Sequence, residues 1–390
     1  MRFSMCTALG AAIGIAALCS PAAAKDEFKI GGVVALSGPY GVIGEAMRKG
    51  AELAVEMRGG KVLGAPIVFE WEDSETKPQV TVQKATRLAS DGVDLLFGEV
   101  SSGATIALMK LAERRKIPLL VTISASDEIT GKDKNPYTFR TSNPVDMENR
   151  MMAEFAAKDG VKRVYGVVAD YAVGREMWDS LKKKLGAKGV TIAGEDYPAL
   201  GNKDYSLIAD KVAKSDADGV AMIMTGSDAI TFLKQSGQIG LKDKKTVFGT
   251  MVMDELMGKA VGEQSYGVNS TLRYHFSEKS PANEKFVAAF KAKYGELPTQ
   301  FAGEAFDGVS WFLKVVDETG GWDKEAWLEA FRNSTYTDSV EGTKKMRACD
   351  NQAEQIGLFG KAIKGSDPLP PVTMEVTYTF EPGVLFDACK

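Results

Sequence analysis

The sequence contains a single histidine, His275, in 390 residues. One histidine cannot form a zinc site built on a histidine pair, and it weakens any mechanism that needs an imidazole base. Phosphate loops ending in Gly-Lys-Ser or Gly-Lys-Thr, dinucleotide-binding glycine fingerprints and Gly-x-Ser-x-Gly nucleophile elbows are missing as well. We therefore expect no enzymatic activity, no cofactor and no bound metal.

A strong charge of either sign is also missing. The chain has 48 basic and 52 acidic residues, so its net charge is only −4 and nothing favours a nucleic-acid partner. Its 44% hydrophobic and 26% charged residues are typical of a globular protein and exclude a disordered chain or a polytopic membrane protein. The length is about three times that of a typical domain, which predicts two or more lobes.

No apolar run near the start is long enough to cross a bilayer, which takes about 20 residues. Residues 8–18 form a short apolar run that follows Arg2 and precedes the small residues 22–24. This is the pattern of a secretory signal peptide, so we expect residues 1–24 to be cleaved off and the protein to be periplasmic. A retained membrane anchor is the alternative. A lipid anchor on Cys19 is disfavoured, because a leucine stands where lipoprotein signals place a small residue.

Cysteines are scarce in the expected mature chain, which keeps only Cys349 and Cys389. In an oxidising compartment two cysteines most simply form one disulfide. Such a bond would close a loop of about 40 residues and stabilise the fold by a few kcal/mol. Two free buried thiols are the alternative.

Apolar strand-like runs alternate with amphipathic helical segments along most of the chain. One set covers residues 28–123, and a second set covers residues 137–276. Strands that are almost wholly apolar, separated by such helices, are typical of a parallel sheet covered on both faces. Residues 283–333 are predicted as three helices and residues 342–380 as strands. We expect these last two blocks to complete the first two units rather than to form a third core.

Small hydroxyl side chains follow several of the predicted strands. They are Ser37 after the first strand, Ser101 and Ser102 with Gly103 where a helix begins, and Ser124 and Ser126 on either side of Ala125. Ligands of open parallel sheets bind beyond the carboxyl ends of the strands, and the N–H groups of a helix start can receive an anion. Plain helix capping explains each serine taken alone. Three such places on one sheet edge predict a small anionic ligand.

The same strand ends carry motifs of a known family. They are VVALSGP at residues 33–39, WEDS at 71–74, GEVSS at 98–102, DYAVG at 170–174 and GEAFD at 303–307. Through these motifs the whole mature chain resembles the leucine/isoleucine/valine-binding proteins, which are substrate-binding proteins of branched-chain amino acid ABC transporters. It resembles most the members that bind aromatic or other organic acids.

The resemblance implies a fold and a partner. The fold is the α/β, two-lobed periplasmic binding protein of type I, in which each lobe has a mainly parallel sheet with helices on both faces. Lobe I would comprise residues 25–141 and 276–340, and lobe II residues 142–275 and 341–390. Three crossovers would join the lobes and let them close on a ligand. We expect a monomer that delivers its ligand to a membrane permease and its ATPases.

The resemblance also assigns binding residues. It places the carboxylate pocket at Ser102 with Ser124 and Ser126, and an aromatic wall at Tyr171. The full set of ligand-binding residues that we predict is Ser37, Tyr40, Ser101, Ser102, Gly103, Ser124, Ala125, Ser126, Tyr171, Val173, Thr225, Met251 and Asp254.

One position departs from the pattern of the amino-acid binders. Those proteins hold the ligand ammonium with an acid just after the strand that ends near Gly249, where this chain has Thr-Met-Val-Met at residues 250–253. An ammonium without a partner in a closed cleft costs several kcal/mol. We therefore expect a carboxylate without an α-amine, and an aromatic acid above others. The alternative is an amino acid or amide whose polar end pairs with Asp254 or Glu304.

A function of a different class is an extracellular sensor domain, which shares this fold. A sensor would normally continue into a transmembrane helix, whereas residues 373–380 have a strand pattern and no apolar helix follows them. A hydrolase is the enzymatic alternative, and it would need a nucleophile and a base that the sequence does not display.

Overall fold

The strands among the described residues of the protein assemble into sheets of six, seven and three strands. The computed structural model describes residues 25–389. The predicted signal peptide, residues 1–24, lies outside the described residues, and its cleavage stays a prediction.

The six-stranded sheet is built from the first third of the chain. Its strands are β1 (Phe28–Val34), β2 (Lys61–Val62), β3 (Ala65–Asp73), β4 (Leu95–Phe97), β5 (Leu119–Val121) and β6 (Thr138–Arg140). The helices between them are α1 (Gly41–Met57), α2 (Pro78–Ser90) and α3 (Ser102–Arg115). The order is β2-β3-β1-β4-β5-β6, and all pairs except β2–β3 are parallel. Strand β1 is almost wholly buried, as expected for a strand covered by helices on both faces.

The middle of the chain builds most of the seven-stranded sheet. Its helices are α4 (Val145–Lys158), α5 (Ala172–Ala187), α6 (Ser206–Lys214), α7 (Gly226–Gln238) and α8 (Glu255–Val261). Its strands are β7 (Arg163–Val168), β8 (Thr191–Asp196), β9 (Gly219–Ile223), β10 (Thr246–Gly249) and β11 (Asn269–Leu272). Short 3-10 turns lie at Gly38–Tyr40, Leu241–Asp243 and Gly262–Ser265.

The last third of the chain supplies four helices, two strands of the seven-stranded sheet and the separate three-stranded sheet. Its helices are α9 (Pro281–Tyr294), α10 (Gln300–Thr319), α11 (Lys324–Arg332) and α12 (Pro382–Leu385). Its strands are β12 (Thr335–Tyr336), β13 (Lys344–Met346), β14 (Ala353–Glu354), β15 (Gly357–Lys364) and β16 (Val372–Phe380). Helix α10 packs tightly on α1. The glycine at position 50 allows this approach, since a Cβ atom there would collide with the carbonyl oxygen of Ala302.

Strands β15 and β16 join the second sheet, whose order is β16-β15-β11-β10-β9-β7-β8. They pair antiparallel, while the other strands of that sheet pair parallel. Helix α10 of the helical block thus packs on α1 beside the first sheet, and strands β15 and β16 of the β tail extend the second sheet. The two-lobed α/β architecture is confirmed, and the precise residue boundaries of the lobes stay a prediction.

The chain passes between the two large sheets three times, after β6, after β11 and after β12. Each passage holds a buried cation, and the three are Arg140, Arg273 and Lys344. Arg273 donates from Nε to Glu148 Oε1 at 2.9 Å and lies 3.3 Å from Glu304 Oε2. Since Glu148 is on α4 and Glu304 on α10, this cation ties both lobes to one crossover. A buried charge needs such partners, because loss of one would leave the other uncompensated.

The predicted disulfide between Cys349 and Cys389 is confirmed, with the two Cα atoms 5.9 Å apart. Cys349 follows β13 in the third passage, and Cys389 follows α12 near the end of the chain. The bond therefore fastens the C-terminal segment to the region that connects the lobes.

Candidate functional site

A narrow cavity lies where the carboxyl ends of strands from both large sheets face each other. Its walls are Tyr40, Ile43, Val100, Ser101, Ser102, Ile123, Ala125, Tyr171, Val173, Met177, Ile223, Met224, Thr225, Thr250, Met251 and Phe301. The volume open to the centre of a water-sized sphere is about 50 Å³. A single water needs about 10–15 Å³ on this measure, so the cavity suits a small molecule.

The first lobe presents the start of α3 to the cavity. Ser101 is the N-cap residue of α3 and makes no side-chain cap, so the first amides of the helix are not occupied by it. The first N–H groups of a helix have no partner inside the helix, and the helix dipole makes them attractive to an anion. Ser102 Oγ accepts a hydrogen bond from the Ser126 amide at 3.2 Å, which leaves its O–H able to donate to a ligand.

The second lobe presents two helix starts. Tyr171 precedes α5 and Thr225 precedes α7, and neither residue caps its helix with its side chain. The Thr225 hydroxyl instead donates to the carbonyl of Met251 at 2.8 Å. Uncapped starts of three helices therefore reach the cavity from two sides, and this arrangement favours a negatively charged ligand group.

Two tyrosines face each other across the cavity. Tyr40 belongs to the first lobe and Tyr171 to the second, and both line the cavity. Burial, and to a smaller extent the nearby Tyr171, raises the pKa of Tyr40 well above its ordinary value, and burial also raises the pKa of Tyr171. Both phenols are therefore neutral at physiological pH and provide hydrogen-bonding groups without adding charge.

A second contact joins the lobes beside the cavity. Glu176, on α5, accepts a hydrogen bond from the Ser126 hydroxyl at 3.0 Å and another from the Asp127 amide at 3.3 Å. Burial raises the pKa of Glu176. Because Ser126 and Asp127 follow β5 of the first lobe and Glu176 is on α5 of the second, this contact joins the two lobes beside the cavity.

Eight of the predicted binding residues line the cavity, and five do not. The eight are Tyr40, Ser101, Ser102, Ala125, Tyr171, Val173, Thr225 and Met251. The five that lie outside the lining are Ser37, Gly103, Ser124, Ser126 and Asp254. Ser37 and Gly103 are exposed, and the Ser126 hydroxyl is engaged by Glu176.

Ser124 was expected to donate to the ligand, and the structure gives its hydroxyl another use. This buried group donates to the backbone carbonyls of Glu99 and Val100 and also contacts the Thr105 hydroxyl. It therefore holds the β4–α3 loop in place behind the cavity wall.

The two acids considered as partners for a ligand ammonium are also engaged elsewhere. Asp254 is buried and caps α8 by accepting from the Met257 amide at 2.8 Å, and burial raises its pKa to about 7. Glu304 is buried beside Arg273, and burial raises its pKa to about 7 against the opposing effect of the guanidinium. Neither residue lines the cavity, and none of the sixteen described residues that do carries a charge.

Half of the lining was not predicted from the sequence. The missed residues are Ile43, Val100, Ile123, Met177, Ile223, Met224, Thr250 and Phe301. Most are apolar residues on helix faces or at strand ends, where their pattern is the same as that of core residues. Among residues 25–389, no group of three or more His, Cys, Asp or Glu side chains is placed to hold a metal ion.

The model of the family described as periplasmic binding protein matches residues 27–366. The chain belongs to this family. Members are solute-binding components of transport systems, and the family is not one of enzymes. In the described part of the chain, no helix has both the length and the apolar character needed to cross a membrane.

Individual relatives agree with this assignment. Leu/Ile/Val-binding protein homolog 6 of Brucella melitensis is 28% identical over 322 residues, which are 80% of this chain and 81% of the relative. An ABC transporter solute-binding protein of R. palustris, solved in complex with benzoate, is 26% identical with a TM-score of 0.84, covering 90% of this chain and 96% of that one.

A second R. palustris solute-binding protein was solved in complex with 4-hydroxybenzoate. It is 25% identical with a TM-score of 0.84, and the match covers 91% of this chain and 97% of that one. These similarities confirm the resemblance drawn from the sequence motifs and the type I fold that it implies.

Proposed function

We propose that this periplasmic binding protein captures a small carboxylate that lacks an α-amine, and that aromatic monocarboxylates are the best-fitting class. The ligand is enclosed between the two lobes and passed to a membrane permease driven by ATPases. The protein acts in the periplasm as a monomer after loss of residues 1–24. It performs no chemistry on its ligand.

The observation that carries this proposal is the charge of the cavity wall. The sixteen described residues that line the cavity are all neutral, while uncapped helix starts at Ser102, Ala172 and Gly226 supply positive partial charge. A carboxylate gains from such amides and from the Ser102 hydroxyl. An ammonium would lose its hydration in the same place and find no carboxylate, which costs several kcal/mol.

The rest of the cavity supports an apolar ligand body. Aliphatic, thioether and aromatic side chains form most of the wall, including Met177, Met251 and Phe301. Thioethers and aromatic rings make favourable contacts with a flat ring. The two R. palustris relatives whose structures contain benzoate and 4-hydroxybenzoate support an aromatic acid in this cleft.

Amino-acid binding is the second candidate, and the name of the Brucella relative favours it. It requires a negative partner for the ammonium within the closed cleft. Asp254 would have to leave its capping bond to Met257, or Glu304 its ion pair with Arg273. Both moves would remove a partner from a buried charged or polar group, which is unfavourable.

A thermal-shift panel tests the proposal. Benzoate should raise the melting temperature, while methyl benzoate and benzamide, which keep the ring and lose the negative charge, should leave it nearly unchanged. Leucine should also have little effect. A shift with leucine that exceeds the shift with benzoate would favour the amino-acid candidate, and equal shifts with acid and ester would reject carboxylate recognition.

A further inference from the structure

We infer that Gly226 determines how closely the two lobes can close on the ligand. The inference rests on the proposed capture of a ligand between the lobes, but it does not depend on which ligand is captured. Gly226 is the first residue of α7 in the second lobe. It lies directly against the first lobe, beside the cavity.

The approach of the two lobes at this residue is very close. A Cβ atom built on Gly226 would lie 2.9 Å from the carbonyl oxygen of Pro39, in the loop between β1 and α1. It would also lie 3.8 Å from Tyr40 Cδ1 and 4.0 Å from Ile43 Cδ1, two atoms of the cavity wall. Since the closest atom belongs to the backbone, rotation of a side chain cannot relieve the contact. Any side chain at position 226 must therefore push the lobes apart.

The backbone conformation gives a separate reason for glycine. Gly226 has a φ of +61°, in the left-handed region where other residues are strained. This strain is present whether the lobes are open or closed, so it lowers the stability of the fold. The contact with Pro39 joins the two lobes and is lost when they separate, so a side chain that crowds it opposes closure and lowers the affinity for ligand. The two effects can be measured independently.

The first experiment compares Gly226→Ala with Gly160→Ala. Gly160 lies in the same lobe and has a φ of +78°, but a Cβ atom there would meet nothing within 4 Å. Both variants add one methyl group to a left-handed residue, and only one adds it at the lobe contact. Calorimetry with benzoate should show at least a tenfold weaker affinity for Gly226→Ala and an unchanged affinity for Gly160→Ala. Equal affinities of the two variants would overturn the inference.

A second variant separates closure from folding. Asparagine adopts a positive φ more readily than alanine but has a larger side chain. Gly226→Asn should therefore melt no lower than Gly226→Ala without ligand, yet bind benzoate more weakly. Small-angle scattering at saturation should give a larger radius of gyration for both variants than for the wild type. If the variant with the lower melting temperature, and not the one with the larger side chain, bound benzoate more weakly, a role of Gly226 in closure would be refuted.

Leucine, used as a second probe, distinguishes this inference from the proposed function. If the wild type binds leucine and not benzoate, the proposed ligand class is wrong. Gly226→Ala must then still weaken leucine binding at least tenfold for the inference to stand. Wild-type affinity of that variant for leucine would overturn the inference on its own.

Discussion

Replacement of Ser102 by alanine should weaken benzoate binding by roughly 10- to 150-fold. Ser102 begins α3, lines the cavity and uses its oxygen to accept the Ser126 amide at 3.2 Å. Its O–H is thereby oriented away from that amide and can donate to a carboxylate. Hydrogen bonds to charged groups contribute about 1.5–3 kcal/mol, and each 1.4 kcal/mol corresponds to about tenfold in affinity.

The matched control is Ser124→Ala. Both serines are buried and lie near the same helix start, but the Ser124 hydroxyl donates to the carbonyls of Glu99 and Val100. Its loss should lower the free energy of unfolding by about 1 kcal/mol and leave affinity within about twofold of the wild type. Isothermal titration calorimetry and urea unfolding of both variants separate these effects.

The opposite result would refute the reasoning about this pair. If Ser124→Ala abolished benzoate binding while Ser102→Ala bound like the wild type, Ser124 would be the ligand donor. The hydrogen bonds that it makes with the loop would then have to break on binding. If Ser102→Ala lost stability but kept its affinity for benzoate, the only role of Ser102 would be to accept the hydrogen bond from the Ser126 amide.

The remaining predictions concern the aromatic wall and the buried acid beside the cleft. Tyr171→Ala should weaken benzoate binding about tenfold through loss of ring contact, whereas Tyr171→Phe, which keeps the ring, should weaken it less. Equal affinities of the two variants for benzoate, measured by calorimetry, would contradict this prediction. Burial raises the pKa of Asp254 to about 7, so the folded state holds this proton more tightly than the unfolded state does. The resulting contribution to the free energy of unfolding is fully present below about pH 4 and is lost as the pH rises through 7. Asp254→Asn keeps a capping oxygen and does not titrate, so its free energy of unfolding, measured with urea, should fall less between pH 5 and pH 8 than that of the wild type. An equal fall in the two proteins would contradict a raised pKa for Asp254.

Much of the fold can be predicted from the sequence because its parallel strands are buried on both faces. Such strands are short apolar runs, and the amphipathic helices between them repeat their apolar residues every three or four positions. Helix α8 is hard to predict from the sequence, because it has only seven residues and contains Gly258. An aspartate before such a short helix can cap it or face a ligand, and the structure shows that Asp254 caps α8.

The candidate site was harder to predict than the fold. Serines after strands indicate which edge of the sheet receives a ligand, and Ser101 and Ser102 do line the cavity. Their pattern does not reveal whether a hydroxyl points to the cavity or to a neighbouring carbonyl, as the Ser124 hydroxyl does. Apolar lining residues such as Ile223 and Phe301 are indistinguishable from core residues until both lobes are assembled.

The comparison of leucine with 4-methylpentanoate tests the central claim most directly. These two molecules have the same carbon skeleton and carboxylate, and only leucine carries an α-ammonium. Because none of the described residues that line the cavity is charged, the account predicts that calorimetry will find 4-methylpentanoate bound at least tenfold more tightly than leucine. Tighter binding of leucine would mean that the closed cleft holds a partner for the ammonium, and it would contradict the proposed ligand class.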